Sequence, residues 1–341
     1  MRVLVTGNSG YVGQVLVPLL LDAGHEVRGL DTGFFEGGQF LPAPSIEQRA
    51  LDIRDIKPEH LEGIDAIVFL AALSNDALGD LDPALTHQIN GDATVSCARA
   101  AKEAGVKRFV FSSSCSLYGK SGDDILTEDA VMNPQTPYGE SKINVERKLM
   151  ELAGDGFSPT YMRNATAYGV SPSLRIDLVV NNLTGYALTT GEVRLQSDGT
   201  PWRPLVHVED IGRAMVAVLD APVEVIHNQA FNVGITEENY RIREVAEMVA
   251  KAVKGSELSF ADGAGPDKRD YRVNFDKIKR ELPGFKPQWT VEKGIVQLRE
   301  AYLAEGLTKE DLLSERYLRI KTILRHKAED RLDGGLRWTT G

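Results

Sequence analysis

Residues 2–13 read RVLVTGNSGYVG, an apolar run that leads into three glycines, Gly7, Gly10 and Gly13. Glycine permits a tight turn and lets backbone N–H groups approach a phosphate closely, and the helix that follows directs its positive dipole end there. That helix is indicated by apolar residues with helical spacing: Val12, Val15, Leu16, Leu19 and Leu20. A glycine trio alone is weak evidence, but between a strand and a helix it predicts the diphosphate cradle of a dinucleotide-binding fold. The alternative is a glycine-rich strand end that binds nothing.

The chain has 341 residues, a net charge of −10 and two cysteines, Cys97 and Cys115. This length allows one large α/β domain with a smaller lobe. The acidic balance argues against nucleic acid or an anionic membrane as the main partner. The two cysteines fit neither a metal site nor a disulfide framework, so a cytoplasmic protein without a metal is expected. No segment reaches the length of a membrane span, and the first apolar run is too short for a signal peptide.

The chain up to about residue 170 alternates short β-rich runs with amphipathic helices. This pattern predicts an α/β fold, a Rossmann-type doubly wound parallel sheet, in a first domain at 1–170. Strands are expected at Arg2–Thr6, Glu26–Asp31, Ala66–Ala71, Arg108–Ser113 and Pro159–Arg163. A smaller mixed α/β substrate lobe is expected at 171–202 and 236–310, where Gly, Pro and Asn are frequent. Leu205–Val208 and Ala230–Val233, between these parts, are expected to return to the first sheet.

The pattern of residues 311–341, an apolar helical face surrounded by basic residues, predicts a C-terminal helical extension. Four residues share one helical face, with basic residues around it. These four are Leu313, Tyr317, Ile320 and Leu324, and the basic residues are Arg316, Arg319, Lys321, Arg325 and Lys327. The main interpretation is a helix docked on its own domain or on a neighbouring subunit. A phosphate-binding role is the alternative.

Asp31 ends the second predicted strand, near the spacing at which an acid accepts hydrogen bonds from an adenosine ribose. A carboxylate there repels a 2′-phosphate, so NAD is favoured over NADP. The alternative is that Asp31 caps the turn at Thr32 and Gly33. Asp52 and Ile53 follow a further apolar run and could contact the adenine edge, the alternative being an ordinary turn aspartate.

Ser112, Ser113 and Ser114 end another strand, and Tyr138 and Lys142 lie four residues apart on a predicted helix. This spacing puts both side chains on one face. Tyrosine is a poor base at its unperturbed pKa of about 10, but a cation roughly 4 Å away stabilises the phenolate by about 4 kcal/mol, or about three pKa units. The phenolate could then take a proton from a sugar hydroxyl while a hydride leaves the same carbon, with Ser114 holding the oxygen. A Tyr-x-x-x-Lys pair found alone would instead be an exposed helix face with a snorkelling lysine.

Taken together, these residues resemble the extended short-chain dehydrogenase/reductase family, which includes NAD-dependent nucleotide-sugar epimerases and dehydratases. The likeness covers residues 1 to about 300 and rests on Thr6-Gly7-x-x-Gly10-x-x-Gly13, Asp31, Leu70-Ala71-Ala72, Ser112–Gly119, Tyr138-x-x-x-Lys142, Arg163 and Arg203–Asp210. It implies a catalytic triad of Ser114, Tyr138 and Lys142. It implies an NAD site formed by Gly7, Gly10, Tyr11, Val12, Gly13, Asp31, Asp52, Ile53, Leu70, Ala71, Ala72, Asn90, Ser112, Tyr138 and Lys142. Asn90 is expected either to contact the cofactor or to support the active-site helix.

The two residues after Ser114 narrow the expected chemistry. Dehydratases of the family carry an Asp-Glu pair there as acid and base for water elimination, whereas this chain has Cys115 and Ser116. The glutamate that related decarboxylases keep is also missing. Small residues at these positions are similar to those of the epimerases, in which a ketone intermediate rotates and is reduced from its other face. Cys115 as a nucleophile is the weaker alternative to a core thiol.

The likeness implies a nucleotide-diphosphate sugar as substrate. Arg203, although followed by Pro204 instead of the usual Asp, resembles with Arg269 the arginine pair that grips a nucleotide diphosphate. Either Asn164 or Thr166 is expected to meet the sugar, and Asn181 and Asn182 could bind phosphate or base edges. Ser74, Asn75, Ser114, Cys115 and Ser116 complete the candidate substrate residues. Capping or salt-bridge roles are the alternatives for the arginines and asparagines.

The sequence therefore predicts an NAD-dependent nucleotide-sugar epimerase. A dehydrogenase or ketoreductase of the same fold is the second interpretation, and a dinucleotide-binding protein without catalysis is the third. The family likeness also implies a homodimer formed through the helix near residues 90–104 and the helix that carries Tyr138.

Overall fold

Residues 1–74, 82–261 and 269–339 are described by the structure, a computed structural model of the chain. Its strands are β1 (Arg2–Thr6), β2 (Glu26–Asp31), β3 (Glu47–Ala50), β4 (Ala66–Phe69), β5 (Arg108–Ser114), β6 (Lys120–Leu126), β7 (Ser158–Asn164), β8 (Thr166–Tyr168), β9 (Glu192–Leu195), β10 (Trp202–His207), β11 (Gln229–Val233), β12 (Asn239–Arg241), β13 (Glu257–Phe260) and β14 (Asp270–Val273). Its α-helices are α1 (Gly13–Asp22), α2 (Pro83–Thr86), α3 (Ala93–Glu103), α4 (Pro137–Leu152), α5 (Val179–Thr190), α6 (Val208–Asp220), α7 (Val223–Ile226), α8 (Ile242–Ala252), α9 (Asp276–Glu281), α10 (Val291–Ala304), α11 (Lys309–Leu313) and α12 (Arg319–Ala328). A π-helix, His87–Asp92, joins α2 to α3. Short 3-10 helices lie at Ile53–Asp55, Pro58–Leu61, Cys115–Tyr118 and Thr236–Glu238.

Seven strands form one parallel sheet in the order β3-β2-β1-β4-β5-β7-β11. The central strands are apolar on both faces, as in β4, whose four residues are all buried. Strand order reverses direction between β1 and β4, which opens a crevice at the carboxyl ends of these strands. The predicted Rossmann-type doubly wound parallel sheet is confirmed.

The edge strand β3 is absent from the sequence prediction. All four of its residues, Glu47–Ala50, are exposed and three of them are polar. It therefore has neither an apolar run nor an alternation that local pattern could detect. Backbone pairing with β2, residue by residue from Arg28 to Asp31, defines the strand instead.

Helices cover both faces of the sheet because side chains of each strand alternate between the faces. Val3 and Val5 of β1 pack with α1 and α6 on one face, whereas Leu4 packs with α3 and α4 on the other. Ala98 and Ala101 of α3 are fully buried, and their small side chains let that helix lie close to the strands. Full burial of each Val or Leu side chain contributes about 1.5–3 kcal/mol, so both layers stabilise the sheet.

A third buried cluster forms the core of the smaller lobe, between α5, α8 and α10. β10 belongs to a separate three-stranded sheet of order β12-β10-β8, and the pairs β9-β13 and β6-β14 are also separate. The prediction that Leu205–Val208 returns to the first sheet is therefore wrong, while Ala230–Val233 lies in β11 of that sheet. Leu205 packs into the third cluster and Val206 into the core beneath the main sheet, so β10 lies between the two lobes.

The C-terminal residues form two helices, α11 and α12, and not one continuous face. Leu313 and Leu324 are 48% and 47% exposed, whereas the neighbouring Leu312 and Ile323 are buried. The single face predicted for Leu313, Tyr317, Ile320 and Leu324 is therefore wrong. The chain leaves the helix after Leu313 and begins the next at Arg319, which changes the register that a continuous helix would have.

Helix α4 is held against β7 by a buried ion pair. The helix starts at the cap residue Thr136, whose Oγ1 accepts a hydrogen bond from Gly139 N. One face then carries Tyr138, Lys142 and Glu146 at intervals of four residues. The Glu146 carboxylate accepts from Arg163 Nη2 at 2.7 Å, and both side chains are at most 2% exposed. The Glu146–Arg163 pair thus fixes the helix face that bears Tyr138 and Lys142 against β7.

We expect Glu146→Gln to lower the free energy of unfolding by about 3 kcal/mol or more, because it leaves the Arg163 charge buried and unpaired. Urea unfolding of both proteins measures this change. Glu151→Gln, on the same helix, is the control because Glu151 and Lys148 form an exposed pair worth less than about 1 kcal/mol. Equal unfolding midpoints for the two variants would contradict a structural role of the buried pair.

Candidate active site

One cavity lies where β1, β2, β4, β5 and β7 end, and its wall includes most of the candidate residues. We call it the central cavity. Its wall residues from the main sheet and its loops include Gly7, Gly10, Tyr11, Val12, Gly13, Asp31, Asp52, Ile53, Leu70, Ala71, Ala72, Ser74, Ser112, Ser114, Ser116, Tyr138, Lys142, Asn164 and Thr166. From the opposite side it is lined by Arg175, Leu178, Arg269, Tyr271 and Arg319. The fold therefore brings the predicted residue Arg269, from the later part of the chain, into the same cavity wall as the glycine turn near its start.

The glycine turn at the start of α1 has no room for side chains. Gly7 has φ of +74°, and a Cβ on it would lie 2.8 Å from Ala71 N. A Cβ on Gly13 would lie 2.5 Å from Gly7 O. The backbone can therefore come close to a ligand while α1 begins at the same place, which is the arrangement that a dinucleotide diphosphate requires.

Asp31 ends β2 at the wall of the central cavity. Its carboxylate accepts hydrogen bonds from Gly33 N at 2.9 Å and from Ser9 N at 3.2 Å. The turn-capping role is therefore present, and a carboxylate with two oxygens can still accept from ribose hydroxyls. Burial raises the pKa of Asp31, and the two backbone donors oppose this effect.

Asp52 and Ile53 lie in the cavity wall beyond Asp31. The Asp52 carboxylate caps a 3-10 helix, accepting from Arg54 N at 2.8 Å and from Arg54 Nη2 at 2.6 Å. Burial alone raises the pKa of Asp52, but the bonds to Arg54 outweigh it and the pKa is lowered. The turn-aspartate alternative thus describes what the carboxylate does, and Ile53 supplies the apolar surface at this end.

Ser114, Tyr138 and Lys142 lie together at the other end of the wall. Lys142 Nζ donates to Ser112 O at 2.7 Å and lies 5.3 Å from the centre of the Tyr138 ring. Burial lowers the pKa of Lys142 to about 8, and the nearby Glu146 opposes this effect. The ammonium is therefore still charged at neutral pH and lies beside the phenol. Ser114 Oγ accepts from Ser116 N at 3.1 Å, which orients the hydroxyl.

Two polar atoms near this end are buried without a hydrogen-bond partner among the described residues. They are Asn164 Oδ1 and Ser116 Oγ. The Asn164 amide nitrogen donates to Ser112 Oγ at 3.0 Å, which turns its oxygen away from that contact. Buried polar atoms cost free energy unless they are hydrogen-bonded, so both atoms suit a hydroxyl-bearing ligand. Thr166 lies beside them in the wall.

Several predicted ligand residues lie outside the cavity wall. Cys115 is fully buried, its Sγ donates to Arg163 O, and burial raises its pKa well above the usual range, so it is a core thiol and not a substrate contact. Asn90 exchanges two hydrogen bonds with the backbone of Leu73 and so supports the loop after β4 without reaching the cavity. For Asn90 these bonds agree with the supporting role, which is one of its two predicted alternatives, and for Cys115 they agree with the core thiol.

The two neighbouring asparagines of α5 also bind backbone. Asn181 accepts from Gly169 N and donates to Arg175 O, and Asn182 donates to Ile176 O. They hold the loop that leads into α5 and lie outside the cavity wall, which agrees with the capping alternative. Arg203 is also outside the wall and donates to the carbonyls of Trp202 and Arg269, which leaves only Arg269 of the predicted pair in the wall. Asn75 lies outside the described residues.

Arg175 and Arg319 are wall residues that the predicted site does not contain. Arg175 forms an ion pair with Asp177, Nη2 to Oδ2 at 2.5 Å. Arg319 begins α12 and donates from Nη1 to Ser74 Oγ at 3.2 Å. For Arg319, the sequence signal is the basic character of the C-terminal extension, for which phosphate binding is the alternative interpretation. For Arg175 the sequence analysis contains no such signal.

The described ranges, residues 1–74, 82–261 and 269–339, contain neither a cluster of metal ligands nor a membrane-spanning helix. Within these ranges no three His, Cys, Asp or Glu side chains come together in a way that could hold a metal ion. In the same part of the chain, no helix is long and apolar enough to cross a membrane.

Residues 3–234 match the sequence model of the NAD dependent epimerase/dehydratase family. The chain belongs to this family, and its cofactor is NAD. UDP-glucose 4-epimerase of Bacillus subtilis is 27% identical, with 87% of this chain and 94% of that protein covered. UDP-glucose 4-epimerase of Lactobacillus helveticus is 31% identical, with 84% and 92% covered. The structure of MoeE5 in complex with UDP-glucuronic acid and NAD superposes with a TM-score of 0.78 at 26% identity, covering 89% of this chain and 99% of MoeE5.

The lowered pKa of Lys142 predicts a pH-dependent contribution to stability. Burial reduces this pKa from 10.5 to about 8, so between these values the unfolded state binds more protons than the folded state. The free energy of unfolding of the wild type should therefore rise relative to that of Lys142→Met as the pH rises above about 8, by up to about 3 kcal/mol. Urea titrations at several pH values measure it. For Lys148→Met, an exposed change on the same helix, the free energy of unfolding should depend on pH as it does in wild type. If the difference in this free energy between wild type and Lys142→Met does not change with pH, the lowered pKa is contradicted.

Asp31→Ala tests the cofactor preference. Removing a carboxylate that accepts from ribose hydroxyls should weaken NAD binding by about 10- to 100-fold, and NADP should lose less because the charge that repels its phosphate is gone. Titration calorimetry with both dinucleotides measures the ratio. Unchanged affinities for both would mean that Asp31 only caps the turn.

Proposed function

We propose that the chain is an NAD-dependent nucleotide-sugar epimerase. It oxidises one carbinol of a nucleotide-diphosphate sugar transiently and reduces the ketone from the opposite face. The observation that supports this reaction is the distribution of acids in the central cavity. Among the described wall residues only Asp31 and Asp52 carry carboxylates, and both lie at the far end from Tyr138. Within the described part of the wall, the end with Tyr138 thus offers a proton carrier and no acid–base pair for water elimination.

The chain's own residues handle the proton and the orientation of the sugar. The Tyr138 oxygen takes the proton of the substrate hydroxyl, and the Lys142 ammonium stabilises the phenolate by its charge. Ser114 Oγ, fixed by Ser116 N, hydrogen-bonds the same substrate oxygen. Bound NAD would supply reversible hydride acceptance at the carbinol carbon, so the reaction would consume no reductant. After the ketone turns over in the cavity, Tyr138 gives the proton back.

The substrate class is proposed from the wall opposite the sheet and from the relatives. Arg269 and Tyr271 line that wall near the catalytic end, where a guanidinium suits phosphate oxygens and a ring suits a base or sugar face. The two curated relatives are named UDP-glucose 4-epimerases, and MoeE5 was solved with UDP-glucuronic acid. A nucleoside-diphosphate hexose is therefore the proposed substrate, bound by Asn164, Thr166 and Ser116 at its sugar.

We extend the proposal to a cytoplasmic homodimer formed through α3 and α4. The exposed faces of these helices carry mainly polar and charged side chains of both signs, among them Arg99, Lys102, Glu103, Arg147 and Glu151. A dimer through these faces would depend on ion pairs, so it should dissociate as salt is added. Sedimentation velocity at low and high ionic strength measures this dependence, and a monomer at low salt would contradict the dimer.

Tyr138→Phe tests the proposed reaction. Wild-type protein with NAD should interconvert a nucleoside-diphosphate hexose and its epimer without net growth of reduced nicotinamide absorbance, followed by proton NMR of the sugar. The assay begins with UDP-glucose and extends to a panel of nucleoside-diphosphate hexoses. The variant should lose about 10²- to 10⁴-fold in rate because the proton carrier is gone, while NAD affinity stays unchanged.

Each alternative has its own outcome. Reduced nicotinamide that accumulates in step with a keto product identifies a dehydrogenase. A wild-type protein that binds NAD and turns over no sugar of the panel supports the non-catalytic interpretation. Full activity of Tyr138→Phe would refute the role given to Tyr138.

A further inference from the structure

The C-terminal residues cover the adenosine side of the central cavity. Arg54 donates to the carbonyls of Gly335 and Leu336, at 2.7 Å and 3.1 Å. Trp338 Nε1 donates to Thr32 O at 2.7 Å, and a His326 ring nitrogen lies 3.0 Å from Phe34 O. These contacts tie the end of the chain to the loops that follow β2 and β3. The end of the chain therefore packs against loops whose Thr32, Phe34 and Arg54 form one wall of the cavity, and it adds Arg319 to that wall.

Arg319 is the cation that this wall directs over the glycine turn. Its Nη2 lies 3.8 Å from the place that a Cβ on Gly10 would occupy. The guanidinium packs on the Phe35 ring at 4.7 Å and donates to Ser74 Oγ and Ser173 Oγ at 3.2 Å and 3.4 Å. The whole residue is only 9% exposed. Within the described ranges it donates a hydrogen bond to no carboxylate.

A second buried guanidinium lies close to the first. Arg175 is paired with Asp177 and also donates to Ser74 O at 3.3 Å. Burial lowers the pKa of Arg319 to about 10, and the positive charge of Arg175 adds to this effect. Asp31 and Asp177 oppose it, but one carboxylate is bound to Arg175 and the other to backbone donors. Both carboxylates near Arg319 are therefore already bound by other donors, and its own hydrogen bonds within the described ranges go to two serine hydroxyls.

We propose that Arg319 binds the diphosphate of NAD from the side opposite the glycine turn, with Arg175 as the second cation. A buried guanidinium costs free energy unless an anion pairs with it, and its planar fork matches two phosphate oxygens. The glycine turn supplies only backbone donors and a partial helix charge, so a full positive charge completes the site. This proposal rests on NAD as the cofactor and is independent of the epimerase activity.

The diphosphate of the sugar nucleotide is the other anion that this chemistry could bind. The position of Arg319 favours the cofactor, because its guanidinium lies over Gly10 and is close enough to Asp31 to affect the pKa values of both groups. Arg269, by contrast, comes from the segment before β14, in the wall opposite the sheet. Arg319 also lies beyond residue 234, where the match to the family model ends.

The test compares Arg319→Met with wild type by titration calorimetry, using NAD, ADP-ribose, adenosine and UDP as probes. NAD and ADP-ribose should bind about 10- to 100-fold more weakly to the variant, since a charge-assisted contact is lost. Adenosine, which lacks the diphosphate, and UDP should bind as they do to wild type. Arg316→Met is the matched control, because Arg316 lies in the same segment and donates to Gln39 O outside the cavity wall.

A thermal scan separates binding from folding. Without ligand, Arg319→Met should melt no lower than wild type, because the change removes a buried charge next to Arg175, while the rise in Tm caused by NAD should shrink. Arg319→Lys, which keeps a charge but loses the fork, should bind NAD with intermediate affinity. Unchanged NAD and ADP-ribose affinities overturn the proposal. So does an equal loss for adenosine, which would mean a structural role, or a loss for UDP alone, which would assign Arg319 to the substrate.

Discussion

Helix α4 carries Tyr138, Lys142 and Glu146 on one face, and the buried ion pair of Glu146 with Arg163 fixes that face against β7. The same carboxylate accepts from Ser113 Oγ at 2.5 Å, so the pair also ties α4 to the end of β5, which bears Ser112 and Ser114. A buried charge pair is poor evidence for stability by itself, but its geometry is strict. Removing either partner would free the helix that sets the distance between phenol and ammonium. The chemistry at the cavity end therefore depends on a contact that no ligand touches.

Local signals in the sequence predicted the parts of the site that depend on backbone geometry. The strand, the glycine turn and the helix that follows are adjacent in sequence, and so are Tyr138 and Lys142 on α4. Asn181 and Cys115 are two predicted ligand contacts that lie outside the cavity wall. Both have side chains suited to a ligand, but folding brings the carbonyls of Arg175 and Arg163 to them, and these partners saturate or bury the groups. A residue type reveals what it can bind, whereas its partner depends on the tertiary fold.

Arg319 presents the opposite case, since its hydrogen-bond partners Ser74 and Ser173 are 245 and 146 residues away in sequence. Nothing in the spacing of the last helix connects it with Gly10 or Phe35. The contact arises because the chain breaks between α11 and α12, where Leu312 packs in the core of the smaller lobe and Ile323 in that of the main sheet. The segment thus crosses from one lobe to the other directly above the cavity. Because the chain crosses between the lobes at this place, Arg319 at the start of α12 becomes part of the proposed cofactor site.

The charge of the cavity is opposite to that of the whole chain. The whole chain has a net charge of −10, yet Lys142, Arg175, Arg269 and Arg319 all line one cavity. The low dielectric constant of the cavity strengthens the attraction of each of these cations for an anion, while solvent and salt screen the acids on the surface. Two diphosphates, one in NAD and one in the proposed substrate, would balance the four cations. The acids among the described wall residues, Asp31 and Asp52, are held by backbone and by Arg54, so within that part of the wall the reacting end has one phenol and one ammonium, which suffice for the proton transfer of the proposed epimerisation.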